Sequence, residues 1–258
     1  MPIQLPFAIR NLSAAEFDQV DAVVMPCAYA AQNTLGRLYD ERVYENRLVK
    51  LLRDRGLEAL FQQPIVVTYR EFSKTYFLDL VINHAIYDLK TVQAFVPEHD
   101  AQVFNYAMLA NVNHIKLLNF RQPKVQGRLR FNAVLAPERR HPHWQTDDWK
   151  PVTQECVKLR QHFQDLIADW GTHLDFRLFD EALVQFSGGE AFCKRRVPVI
   201  VEGQRLGTEL VRFHAEGVSF LLTGFDDPIS QIQHVHRLCQ FTQLRAIQWS
   251  ISTTETFE

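Results

Sequence analysis

Residues 75–92 read TYFLDLVINHAIYDLKTV. Two apolar, β-branched runs flank Asn83-His84, and Asn tolerates the positive φ that a two-residue hairpin turn demands. With that turn Ile82 faces Ala85, and stepping outward places Asp79 directly opposite Asp88. Strand alternation gathers Phe77, Asp79 and Val81 with Ile86, Asp88 and Lys90 on one face. Directly opposed residues hold their Cβ atoms roughly 4.5–5.5 Å apart, where like charges destabilise a hairpin. Two carboxylates placed together on apolar strands call for a positive group between them. A hard divalent cation, Mg²⁺ or Mn²⁺, suits oxygen-only ligands with water or phosphate completing the shell. Lys90 then stands beside the ion, where it could orient a nucleophile or stabilise charge on a scissile phosphate. The plainer reading leaves Asp88 and Lys90 on a solvent-facing strand, with Asp79 paired to an arginine.

Working outward, the chain reads twice. At an offset of 135, TLGRLYDERVYENRLVKL (34–51) lies over DWGTHLDFRLFDEALVQF (169–186), with Gly36 on Gly171, Asp40 on Asp175, Tyr44 on Phe179 and Leu48 on Leu183. PIVVTYREF (64–72) then meets PVIVEGQRL (198–206), and at an offset of 132 AIYDLKT (85–91) meets GVSFLLT (217–223). Each half runs helix, Gly, amphipathic helix, a Pro-started strand, two more strands, a helix and a last apolar strand. The expected fold is α/β, an αβββαβ core with a mixed sheet flanked by helices, present twice. The expected domains are residues 1–135 and 152–258, joined by a Pro-rich polar linker over 136–151. His141 and His143 in that linker are metal-ligand types, but a solvated connector accounts for them.

Composition bounds the rest. Of 258 residues 47% are hydrophobic and 22% charged, enough apolar side chain to exclude a disordered or fibrous chain. No run of about 18 apolar residues is present, so no membrane span is expected. The N-terminus shows no basic segment followed by an apolar stretch, so a cytoplasmic location is expected. Cys27, Cys156, Cys193 and Cys239 form no C-x-x-C pair and read as reduced, mostly buried thiols rather than a zinc site. The net charge of −2 argues against holding nucleic acid by bulk electrostatics alone. Residues 1–135 carry 15 Lys and Arg against 13 Asp and Glu, an excess too small to change that. Arg47, Lys50, Arg53 and Arg55 fall on the helix after Glu41. The Lys194, Arg195, Arg196 cluster sits just before a strand, as an edge-protecting device would. No phosphate-loop, dinucleotide or nucleophile-elbow motif occurs.

One set of residues resembles a known family. L-G-x-x-x-x-E-x-V-Y-E (Leu35, Gly36, Glu41, Val43, Tyr44, Glu45) is followed by R-D-R-G-L (53–57), Q-x-P (62–64), L-D-L (78–80), D-L-K (88–90) and H-x-x-Q-x-x-x-Y (His99, Gln102, Tyr106). Together, over residues 13–133, these resemble the GxxExxY proteins, a branch of the PD-(D/E)XK nuclease superfamily with a restriction-endonuclease-like core. The resemblance implies that Asp79 is the first metal ligand, that Asp88 and Lys90 form the (D/E)-x-K pair, and that Glu41 helps complete the metal site. It implies that Gln102 and Tyr106 match the Q-x-x-x-Y motif of RecB-type nucleases and face substrate or Lys90, with His99 near the phosphate. Leu38, Leu78 and Asp88 depart from the family's usual Gly, Pro and Glu. In the second half Glu41 maps to Phe176, Asp79 to Arg212 or Phe213, Asp88 to Phe220, Lys90 to Leu222, Gln102 to His234 and Tyr106 to Leu238. That copy reads as inactive.

The expected function is therefore a Mg²⁺- or Mn²⁺-dependent nuclease that hydrolyses DNA or RNA, with DNA the more expected nucleic-acid partner. The rival is a catalytically silent nucleic-acid-binding or scaffold protein that keeps the fold. A homodimer or a protein partner is compatible with either.

Overall fold

The computed structural model describes residues 2–140, 142, 144, 149–224 and 228–251, the backbone alone for 228–230 and 251. His141 and His143 lie outside the described residues. The chain forms two compact units, Met1–Arg139 and Arg140–Glu258.

The first unit opens with a short strand, β1 (Ile3–Gln4), and a long helix, α1 (Ala14–Leu35). Ser13 and Glu16 start α1 as a capping box: the Ser13 hydroxyl accepts the Glu16 N–H, and the Glu16 carboxylate accepts the Ser13 N–H. Gly36 ends it at φ 77°, a left-handed value that glycine adopts without a Cβ clash. Helix α2 (Glu41–Arg53) follows, then β2 (Ala59–Tyr69), β3 (Phe72–Ile82) and β4 (Ala85–Lys90). Helix α3 (Pro97–Ala110), β5 (His114–Asn119), β6 (Gln126–Phe131) and a single turn, α4 (Ala136–Arg139), complete the unit. The sheet runs β1 to β6 in sequence order, and every pair is antiparallel except β4 with β5. Strand alternation places Leu80, Ile82, Tyr87 and Leu89 on one face. There they join Phe17, Val24, Tyr44, Leu48 and Leu52 from α1 and α2 in one buried core. Ile86, Asp88 and Lys90 point to the opposite face, where the sheet carries its charges into a buried setting.

The second unit contains α5 (Gln154–Trp170), α6 (Phe176–Phe186), the short α7 (Glu190–Cys193), β7 (Lys194–Val201), β8 (Gln204–Ala215), β9 (Val218–Thr223), α8 (Pro228–Phe241) and β10 (Ala246–Ile251). Its sheet order is β10-β9-β8-β7, with β7–β8 and β8–β9 antiparallel and β9–β10 parallel. Order and direction match β2 to β5 of the first unit. Both units are thus mixed sheets with flanking helices, as expected.

Several particulars differ from the sequence reading. Neither proline starts its strand: Pro64 lies six residues into β2 and Pro198 is the fifth residue of β7. Both are tolerated because their strands have a free edge there. Strand β1 reaches only Val66 and Val67, and β7 is the outermost strand of its sheet. Lys194, Arg195 and Arg196 are the first residues of that edge strand rather than its approach. Arg55 falls just beyond the end of α2. The stretch read as a linker begins with α4, and the buried Arg139 donates from Nη2 to the Met108 carbonyl at 2.7 Å. The sulfur atoms form no disulfide: Cys27, Cys156 and Cys193 are buried and Cys239 is half-buried. Among the described residues, no helix is long and apolar enough to cross a membrane.

Candidate active site

Helix α2 is fixed by the tyrosine of its motif. Tyr44 is fully buried, donates its hydroxyl to the Gly36 carbonyl at 2.8 Å and stacks on Phe120 with ring centroids 4.6 Å apart. That contact brings the first turn of α2 over the end of β4, where Glu41 Oε1 accepts the Thr91 N–H at 3.1 Å. Thr91 directly follows Lys90, so Glu41 is delivered to the place where the sheet's charges lie. A carboxylate in the first turn is also favoured by the helix dipole.

The hairpin turn falls at Asn83-His84, both with positive φ (44° and 72°), in the manner of a type I′ turn. The β3–β4 ladder joins Ile82 to Ala85, Val81 to Ile86 and Leu80 to Tyr87, and then stops. Asp79 and Asp88 are therefore not rungs of a regular ribbon, although they stand next in register. Instead the Asp79 side chain enters the gap, and its Oδ2 accepts the Leu89 N–H at 2.8 Å. Strand β4 continues beyond that point on its other partner, with Asp88 beside Leu117 and Lys90 beside Asn119 on β5. The splay opens room between two acids that a continuous ladder would press together.

Asp88 is 1% exposed and Lys90 8%. Lys90 Nζ lies 2.5 Å from Asp88 Oδ2 and also donates to the Leu89 carbonyl at 3.2 Å. Asp88 Oδ2 thus has an ion pair without hydrogen-bond geometry, and Oδ1 has no partner at all among the described residues. Burial pushes the Asp88 carboxyl well above the usual carboxylate range, and the Asp79 charge pushes the same way against the pull of Lys90. Burial also raises Asp79, against the Leu89 N–H, Lys90 and Gln62. For Lys90 burial works against the charge, but Asp88, Asp79 and Glu41 outweigh it and keep the ammonium protonated.

Helix α3 contributes its middle. Gln102 Nε2 donates to the Tyr106 hydroxyl at 2.9 Å, one turn apart. Burial raises the Tyr106 phenol, with Asp88 and Asp79 adding to the rise and Lys90 opposing it, so Tyr106 lies within the field of the charged group. Its ring meets Tyr76 edge-on, 6.3 Å between centroids. His99 has a different setting: its Nδ1 accepts the Val96 N–H at 3.1 Å, closing the start of α3, and its ring lies edge-on to Phe95.

Two further residues belong to the group, although the sequence pattern assigned them no role. Glu45, one helical turn after Glu41 and 3% exposed, accepts from Gln62 Nε2 at 3.2 Å. The same Gln62 nitrogen lies 3.4 Å from Asp79 Oδ1. Burial raises Glu45, and Asp79 adds to it, while Arg42 at 3.3 Å opposes. The spacing of Glu45 from Glu41 was the available signal, since residues four apart share a helix face.

The donor set is oxygen only, and one buried carboxylate oxygen is without a donor; both observations fit a hard divalent cation. Among the described residues, no three His, Cys, Asp or Glu side chains are grouped so as to hold an ion by themselves. Asp79 and Asp88 would hold it with Glu41 nearby, and water or phosphate would supply the remaining oxygens, as is usual for Mg²⁺.

A helix whose acid reaches over a splayed hairpin, an acid on each strand, a lysine two residues on and a following parallel strand form an arrangement consistent with a PD-(D/E)XK nuclease fold. Residues 18–131 match the model of a family described as PD-(D/E)XK nuclease superfamily. No curated protein and no solved structure matches the chain.

Proposed function

We propose that the first unit is a Mg²⁺- or Mn²⁺-dependent nuclease that hydrolyses phosphodiester bonds in DNA or RNA. One observation carries the reading: among the described residues an almost fully buried Asp88 keeps one oxygen unpartnered while Lys90 is held beside it and Asp79 faces the same gap. A structural ion pair would have satisfied that oxygen, because an orphaned buried acceptor destabilises a fold. Asp79 and Asp88 bind the cation, aided by Glu41. When bound, the ion supplies Lewis-acid polarisation of the phosphate and makes water a competent nucleophile at neutral pH. Lys90, protonated in the resting protein, orients the attacking water and stabilises the negative charge that grows on the phosphate oxygens. Gln102 and Tyr106 position the strand from α3, and His99 closes the start of that helix toward the phosphate. The match over 18–131 supports the reaction class.

The second unit is proposed to be a degenerate copy of the same core. It repeats the strand order of the first, with Phe176, Phe220 and Leu222 where the site has Glu41, Asp88 and Lys90. It serves substrate grip, or pairing with a second chain or another protein. The test is cleavage of single- and double-stranded DNA and RNA in Mn²⁺ by the full chain, alongside Asp88→Ala and Lys90→Ala. Cleavage of at least one substrate is expected, falling about 10²–10³-fold in each variant. Cleavage equal in all three proteins, or none by the wild type on any substrate, overturns the enzyme reading; the latter leaves a nucleic-acid-binding scaffold.

A further inference from the structure

Gln62 is the least comfortable residue of its strand. Its φ is 50°, in the left-handed region that side chains other than Gly, Asn and Asp avoid. The β2–β3 ladder runs from Ala59↔Ile82 to Phe61↔Leu80, omits one rung and resumes at Gln63↔Leu78. The omitted rung is Gln62 opposite Asp79. Strained backbone persists only where the surroundings impose it, and it concentrates where a side chain must be aimed. Here the consequence is visible: the amide nitrogen of Gln62 is turned onto Glu45 Oε1 and Asp79 Oδ1 together. Only the NH₂ end of the amide can satisfy two carboxylates at once.

The far side of this clamp is anchored. Glu45 is held to α2 by burial and to Arg42 Nη1 through its second oxygen. Asp79 is then fixed at both oxygens, Oδ1 by Gln62 and Oδ2 by the Leu89 N–H. That is how outer partners orient a ligating carboxylate: each oxygen is pinned, so the side chain keeps one rotamer and one set of lone pairs facing the gap. The second unit has a different solution at the matching register. Arg212 opposes Phe220 there and pairs with Asp180 of α6, which takes the place of Glu45 at the same offset of 135. A built-in guanidinium closes the helix-to-strand gap in that unit, whereas in the first an amide spans two acids.

We propose that the Gln62–Glu45 pair is the positioning device for Asp79, set by the left-handed backbone of Gln62, and that it tunes divalent-cation affinity without touching the ion. This rests on the metal-dependent reading above. It assigns to Gln62 and Glu45 a role through Asp79 and no contact with substrate.

The variant that separates this from a packing role is Gln62→Gly. Glycine is at ease at φ 50°, and that relief of strain offsets part of the cost of leaving Glu45 Oε1 and Asp79 Oδ1 without their donor, so the apo protein should still unfold cooperatively within a few degrees of wild type. The clamp, however, is gone. The readout is the Kd for Mn²⁺ alone, measured on the full-length apo chain by electron paramagnetic resonance of free Mn²⁺, with Asp88→Ala as the control that removes the site. Outer-partner loss of this kind weakens metal binding 10–100-fold. The expected result is a Kd for Gln62→Gly raised about 10-fold or more, with cooperative unfolding kept within a few degrees of wild type. Equal Kd values for wild type and Gln62→Gly, with Asp88→Ala not binding, overturn the positioning role and leave the metal site standing. A raised Kd together with loss of the cooperative unfolding transition also overturns it, because the loss is then one of folding. If wild type and Asp88→Ala both fail to bind Mn²⁺, the metal-dependent reading falls and this inference with it.

Discussion

A buried carboxylate needs either a donor for each oxygen or a cation, and among the described residues no donor reaches Asp88 Oδ1. In the metal-free protein the neighbouring Asp79 adds repulsion, since its charged form is penalised by burial and in turn raises Asp88. Replacing Asp79 with its neutral isostere removes that repulsion and keeps an oxygen for the Leu89 N–H, giving up only the long 3.4 Å contact with Gln62, where an NH₂ would replace the acceptor. Asp79→Asn is therefore expected to raise the apo melting temperature by about 2–4 °C, the equivalent of about 1 kcal/mol at this size, and to abolish Mn²⁺ binding. Differential scanning calorimetry with chelator present checks the first part; a fall in melting temperature would show that the Asp79 charge holds the hairpin together. In the second unit His214 behaves in the opposite sense. It is buried on β8 with Nε2 3.4 Å from the Cys156 sulfur and Nδ1 without a hydrogen-bond partner among the described residues. Burial lowers its pKa from 6.5, against the charge of Glu155. The unfolded chain then binds a proton below pH 6.5 that the folded unit refuses, so stability present above that value is lost as pH falls toward the depressed folded value. Denaturant titrations followed by the fluorescence of the buried Trp170 should show this fall, and His214→Leu should flatten it; an unchanged slope in the variant would place the proton elsewhere.

Elements explain why parts of this site could be read early and others not. The turn at Asn83-His84 and the shared face of Asp88 and Lys90 follow from local rules, a left-handed-tolerant dipeptide and a period of two, and both hold in the structure. The helix-then-strands order of each half is likewise set by short-range periodicity. What short-range rules miss is where ladders break. Strand pairing stops at Leu80↔Tyr87 because the Asp79 side chain takes the Leu89 N–H, a choice settled by three-dimensional packing. The same holds for Gln62, which the sequence shows only as the first letter of the Q-x-P motif and whose positive φ accompanies the omitted rung opposite Asp79. Pro64 and Pro198 read as strand starts, since proline is excluded from ladder interiors. They lie inside strands because β1 is too short to cover residue 64 and β7 has no outer neighbour, and edge status cannot be read from the strand's own sequence. Glu45 was visible as a letter beside Tyr44 but not as a site member. Its burial depends on how α2 is tethered by the Tyr44–Gly36 bond.

At the level of the whole molecule, each unit closes its own core. The first is built on the α1, α2 and sheet cluster around Tyr44, Leu80 and Phe120, and the second includes a cluster of Val211, Phe213 and Leu244. A sheet covered by its own helices and bearing the complete acid–acid–lysine group should not need the second unit in order to fold or to bind a cation. Where the first unit ends then matters. A boundary at residue 135, the one composition favours, cuts off α4. That removes the Ala136 N–H donated to Asn111 Oδ1 at 2.7 Å and the Arg139 guanidinium donated to the Met108 carbonyl, both at the C-terminal end of α3. The Met108 carbonyl keeps only the long Asn111 N–H bond of 3.3 Å, so losing the charged donor there, with the bond to the Asn111 side chain, costs about 2–3 kcal/mol for the pair. A fragment ending at residue 140 is expected to unfold cooperatively and to bind Mn²⁺ with the affinity of the full chain. A fragment ending at residue 135 should melt about 6–12 °C lower. Because α3 carries Gln102 and Tyr106, that loss at its end should loosen them as well. Equal melting temperatures for the two fragments would show that α4 is only an appendage. If neither fragment folds, the second unit is part of what holds the first together, and its role is structural before it is anything else.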